Sequence, residues 1–150
     1  MANQKSDIYT LQTVAQGDNR ADGRLLSGKV RQATATFTVA ASGAAADDTV
    51  QLVKLPTGCL VDQTQSFVQA VNPGTALVVD IGTAAADDDL ADGIVLSSGG
   101  KVPFAVSTTD DLPLVEVAAG NELVTMLYKT VTTPTGSTDV RVVITYIDYN

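Results

Sequence analysis

The chain has no histidine and no tryptophan, one cysteine, two glutamates, and seven other aromatic residues among 150. Each scarcity removes a class of chemistry. Without histidine there is no Ser-His-Asp or Cys-His pair, no imidazole base and no histidine-ligated zinc. A lone Cys59 cannot form an intrachain disulfide and has no base to activate it, so it reads as a small buried strand residue. Few aromatics leave little stacking platform for bases or sugars. Neither GxGxxG nor GxxxxGK[ST] occurs, so no phosphate loop is visible. Catalysis needs a nucleophile, a base and oxyanion donors together, and the sequence assembles no such set. No enzyme activity and no cofactor are therefore expected. No apolar run approaches the roughly 20 residues of a membrane-spanning helix, and the polar start "MANQKSDIYT" carries no secretory signal.

What is present is acidic and apolar. Hydrophobic residues make up 45%, enough for one domain with a core, and the net charge is −8. That sign disfavours nucleic acid and anionic membranes as partners. The charge is uneven. Residues 1–31 carry a net +2 and the remainder −10.

After residue 30 the apolar period is two. "VRQATATFTV" (30–39) sets Ala33, Ala35, Phe37 and Val39 against Thr34, Thr36 and Thr38. Strands follow at 49–55, 59–70, 75–82, 93–97, 101–107, 112–120, 121–130 and 138–149. In 59–70, Cys59, Val61 and Phe67 are expected inward. In 138–149 the inward set is Val140, Val142, Ile144 and Tyr146. "TALVVDIG" (75–82) is apolar on both faces and reads as a central strand. "PTG", "NPG", "SSGG", "AGN" and "TPTGS" punctuate the strands as turns. No segment has the pattern of an amphipathic helix. The chain is expected to be all-β, an antiparallel β-sandwich or barrel.

The first thirty residues break the pattern. "IYTLQTVAQGDNRADGRLLSGKV" is too polar for core strands and too apolar for an inert tail. The expected division is an N-terminal arm, 1–29, and a β-sandwich domain, 30–150. An ordinary first strand plus loop is the alternative for the first part.

The run "GTAAADDDLADG" (82–93) gathers Asp87, Asp88, Asp89 and Asp92. An EF-hand loop needs a bidentate Glu six residues after its Gly, and here that position is Gly99. No metal site is assigned, and weak Ca²⁺ binding at these aspartates is left open. The expected structure is a helical turn over Asp88–Ala91 capped by Asp87, with Gly93 ending it in a left-handed conformation.

The stretch "VQLVKLPTGCLVDQTQSFVQAVNPGTALVVDIG" (50–82) runs strand, Leu-Pro-x-Gly, long strand, Gly-bearing turn and strand ending "DIG". With the closing "VRVVITYI", this layout resembles the small β-sandwich decoration, or cement, proteins of tailed-bacteriophage heads, over about residues 30–149. The resemblance implies a jelly-roll-like fold with an extended N-terminal arm and a place on the outer surface of the head. It implies the major capsid protein and further copies of the chain, as dimer or trimer, as partners. The arm would then supply capsid contacts: Ile8, Tyr9, Leu11, Val14, Leu25 and Leu26 as apolar anchors, with Arg20, Arg24, Lys29 and Arg31 toward acidic capsid loops. A carbohydrate-binding sandwich using Tyr128, Tyr146 and Tyr149, or a head-fibre or minor tail component, are the alternative readings.

Overall fold

A computed structural model describes residues 28–39, 45–71, 77–96, 100–104, 114–131 and 138–149. The chain divides into a unit spanning Val30–Asp148, which is the subject below, and a second comprising Met1–Lys29 with Tyr149–Asn150, of which only residues 28, 29 and 149 are described.

The described residues contain nine strands and no helix. They are β1 (Lys29–Val39), β2 (Thr49–Lys54), β3 (Leu60–Val71), β4 (Leu77–Gly82), β5 (Ala91–Val95), β6 (Gly100–Pro103), β7 (Leu114–Glu116), β8 (Leu123–Val131) and β9 (Thr138–Asp148). One sheet has the order β1-β9-β3-β6, with β7 also on β3, and the other has β2-β8-β4-β5. Successive strands β1 to β4 alternate between the sheets. After the β4–β5 pair the chain retraces its path, and β6, β8 and β9 lie beside β3, β2 and β1. That is the winding of an antiparallel jelly roll, and β7 is a short addition to it.

Alternation explains the core. Along β1, Ala33, Ala35 and Phe37 are half-buried and Val39 is buried, while the threonines between them face solvent. Val61, Val68, Val79, Val124, Met126 and Val142 are fully enclosed between the sheets. As expected, β4 lies between two partners, β8 and β5, and is buried on both faces. The "PTG" segment closes a turn through Cys59 N–H to the Pro56 carbonyl at 3.3 Å, and "AGN" closes one through Asn121 N–H to Ala118 at 3.0 Å. Pro103 ends β6 at a sheet edge, where a missing N–H costs no ladder bond.

Two expectations fail. Phe67 faces outward and is half-buried, while Val68 and Ala70 take the core face. The cause is an irregularity in β3. From Asp62↔Thr145 to Phe67↔Val143, β3 advances five residues while β9 advances two. An odd surplus inverts the faces downstream. Asp62 holds the bulge by accepting from Thr64 N (2.9 Å), Thr64 Oγ1 (2.6 Å) and Gln65 N (3.2 Å). Ser66 Oγ donates to the Asp62 carbonyl (2.6 Å) and accepts from Thr145 N–H (3.0 Å). The second failure is the helical turn at Asp88–Ala91. Residues 83–90 form a non-helical loop and β5 begins at Ala91, because ladder bonds to β4 claim the backbone groups a helical turn would use. Gly93 is left-handed (φ 64°), as expected, but it sits in a β5 bulge.

Candidate interaction surface

The densest charged cluster surrounds Asp80. This residue lies on the outer face of β4, between two strands that each carry one extra residue. β8 bulges at Lys129, between the pairs Val78↔Thr130 and Val79↔Tyr128, and β5 bulges between the pairs of Ile81 and Val79. The Asp80 side chain is 4% exposed. It accepts from Gly93 N–H at 2.6 Å and meets Lys129 Nζ at 3.1 Å. Lys129 Nζ also meets Asp92 at 2.6 Å. The hydrogen bond from Lys129, reinforced by its charge, holds the Asp92 carboxyl below the usual range. Bonds to Asp92 and Asp80 push the Lys129 ammonium well above the ordinary lysine value. The two ion pairs of Lys129 tie the bulges of β8 and β5 to the outer face of β4.

The four aspartates of 82–93 thus separate. Asp87 and Asp88 are exposed. Asp89 turns back to accept from Thr83 N (2.9 Å) and Thr83 Oγ1 (2.6 Å), closing the loop, and its burial raises its pKa against those bonds. Asp92 belongs to Lys129. Among the described residues, no three His, Cys, Asp or Glu side chains converge where a metal ion would sit.

Cys59 is buried, and burial, with the nearby Asp148 carboxylate, pushes its thiol up to about 11. It is a packing residue. Tyr128 is buried, and Tyr146 packs partly buried against the core, so neither offers a sugar platform.

Among the described residues, two depressions open along β1. One depression of about 470 Å³ is lined by Thr36, Phe37, Thr38, Gln69, Val71 and the start of β9. A second, of about 540 Å³, opens between the sheets where Phe37, Thr38 and Val39 face Asp47, Asp48 and Tyr128. Of the arm residues singled out in the sequence, Ile8, Tyr9, Leu11, Val14, Arg20, Arg24, Leu25 and Leu26 lie outside the described residues. Lys29 and Arg31 are exposed at the start of β1, and Arg31 Nε pairs with Asp148 at 2.9 Å. Sequence reasoning missed the Asp80–Lys129 pair, whose members stand 49 positions apart with no local pattern linking them.

The fold therefore defines a jelly-roll β-sandwich whose described surface offers edges and shallow depressions. No protein-family model matches the chain, and no curated protein does. Among solved structures it is similar to a chain of the cyanophage Pam1 capsid asymmetric unit. Identity is 20% and the TM-score 0.59, over 90% of this chain and 96% of that one. It is also similar to a chain of the acidic stable capsid structure of Helicobacter pylori bacteriophage KHP30. There identity is 16% and the TM-score 0.49, over 82% of this chain and 100% of that one. The first likeness is one of fold. The second is too distant to bear on the argument.

Proposed function

We propose that the chain is a structural virion protein that binds the outside of a phage head, spans adjacent major capsid protein subunits and holds them against internal DNA pressure. The observation that carries this reading is the fold shared with a phage capsid chain along nearly the whole length of both. The role is mechanical, and it needs no catalytic group or cofactor. Many copies on one shell make modest contacts per copy sufficient, through avidity. The acidic body, −10 beyond residue 31, keeps free copies apart and soluble before they dock.

In this reading residues 1–29 form the docking arm and 30–150 the sandwich. The apolar anchors are Ile8, Tyr9, Leu11, Val14, Leu25 and Leu26, and Arg20, Arg24, Lys29 and Arg31 face acidic capsid loops. Incubating purified protein with heads assembled without it, then counting bound copies by quantitative gel and cryo-EM, tests the role. Hundreds of copies on the outer surface are expected. A handful at a vertex or tail would assign it to a fibre or tail instead. A variant lacking residues 2–24 is expected to keep the β-domain's thermal unfolding and lose binding. Wild-type occupancy by that variant would end the arm assignment.

A further inference from the structure

Threonines alternate along β1, and Thr34, Thr36 and Thr38 are exposed on the face opposite the core. The strands β9, β3 and β6 continue that outer face. Gln69 of β3 stands directly between Arg141 of β9 and Lys101 of β6. Cross-strand partners share a face. Val68, Ala70, Val140 and Val142, on either side of this row, are buried in the core, so Gln69, Arg141 and Lys101 point outward. The row is basic, although the chain beyond residue 31 carries −10. Among the described residues Arg31 is paired with Asp148, and Lys129 with Asp80 and Asp92, but Arg141 and Lys101 have no carboxylate partner. Lys101 Nζ instead lies 3.9 Å from the centroid of the Phe67 ring.

The depression of about 470 Å³ opens on this face, and its volume lies within the roughly 300–1,000 Å³ of small-ligand sites. Its wall combines a guanidinium, a carboxylate, hydroxyls and an amide, from Arg141, Asp139, Thr36, Thr38 and Gln69. Val71, 56% exposed, adds an apolar part. The arginine calls for a carboxylate, which it holds in bidentate fashion. Asp139 calls for the opposite. It accepts from Thr38 Oγ1 at 2.7 Å, stands two positions from Arg141 on the same strand face, and repels a bare anion there. A ligand satisfies both residues only when it brings hydroxyl donors together with its carboxylate.

We propose that this depression binds a sugar acid of the uronate type. The carboxylate sits on Arg141, the hydroxyls meet Asp139, Gln69 and Thr36, and the C–H face of the ring rests on Val71. Lys101 lies two strand spacings from β9, about 10 Å, and meets the carboxylate of a further residue when the sugar acid is part of a chain. Phe67 is half-buried beside Lys101, so charge-assisted hydrogen bonds carry recognition in place of ring stacking. The acidic body repels a long polyanion and confines binding to a short stretch. The inference stands apart from the capsid reading. A chain that binds heads and no sugar acid would refute only this proposal, and the reverse would refute only that reading.

Titration of the full chain with a short oligogalacturonate, followed by calorimetry and amide NMR, tests it. Amide resonances of residues 36–38, 69–71 and 139–141 are expected to move, and those of β5 to stay. The methyl-esterified saccharide binds wild type about tenfold or more weakly, and Arg141→Gln weakens binding of the free acid by a similar factor. Asp139→Ala also weakens it, whereas removing that charge from a bare anion site would tighten binding. Lys54→Gln, on the other sheet, binds as wild type does. Thermal unfolding of each variant confirms that it is folded. Inorganic phosphate and an aspartate-rich peptide are the competing probes. No binding of the saccharide, or binding undiminished in Arg141→Gln, would overturn the proposal. So would tighter binding by Asp139→Ala, or an affinity for phosphate or the peptide equal to that for the sugar acid.

Discussion

Gly82 shows how one missing methyl group shapes the acidic loop. A Cβ there would overlap the Ala86 carbonyl and the Asp87 backbone, which fold back across the end of β4. Thr83 N–H meets the Ala86 carbonyl at 2.9 Å and completes the approach. Gly82→Ala is expected to cost about 1–3 kcal/mol, read as a lower urea midpoint, because backbone and not a flexible side chain must give way. Cys59 makes a pH prediction. Its folded pKa, about 11, lies above the ordinary thiol value near 8.5–9. The folded state therefore keeps the proton after the unfolded chain has lost it. The contribution is fully present below the unfolded pKa and is lost as pH rises through about 11. Cys59→Ala should flatten the fall in melting temperature across that window. A thiol reagent at pH 8 should modify wild type only as fast as it unfolds.

Among the strands, the bulges were the part hidden from the sequence. Alternation in "CLVDQTQSFVQA" points Phe67 inward, and the surplus residues between Asp62 and Phe67 turn it out, where Lys101 Nζ lies 3.9 Å from its ring centroid. The bulge's local bonds, from Thr64 and Gln65 to Asp62, do not by themselves fix the register, which is set against β9 where Thr145 N–H meets Ser66 Oγ across 79 positions. On the outer face of β4, Lys129 ties two bulges through Asp80 and Asp92. Lys129→Met should lower stability at neutral pH by leaving the buried Asp80 carboxylate with Gly93 N–H but without its cation. Asp92, whose pKa is depressed by that lysine, contributes stability above its unfolded value that disappears as pH falls through its folded one. The gap between wild type and variant should therefore narrow on acidification below about pH 4. A constant gap in denaturant titrations from pH 7 to 2.5 would contradict the linkage.

Across the molecule, pairing is long-range: β9 lies beside both β1 and β3, and β2 pairs with β8. Such topology makes folding slow, and stopped-flow refolding in the millisecond-to-second range is expected. The class of fold was legible. Period-two alternation, turn residues and the want of helical segments depend on neighbours along the chain, so they survive in one dimension. The same holds for the core faces of β1 and β9 and for the centrality of β4. Which strand lies beside which, where β3 inverts its faces, and which of four aspartates pairs with Lys129 were settled by contacts between residues tens of positions apart. The chemistry of a carboxylate is written in its residue type, but its partner is chosen by the sheet that carries it.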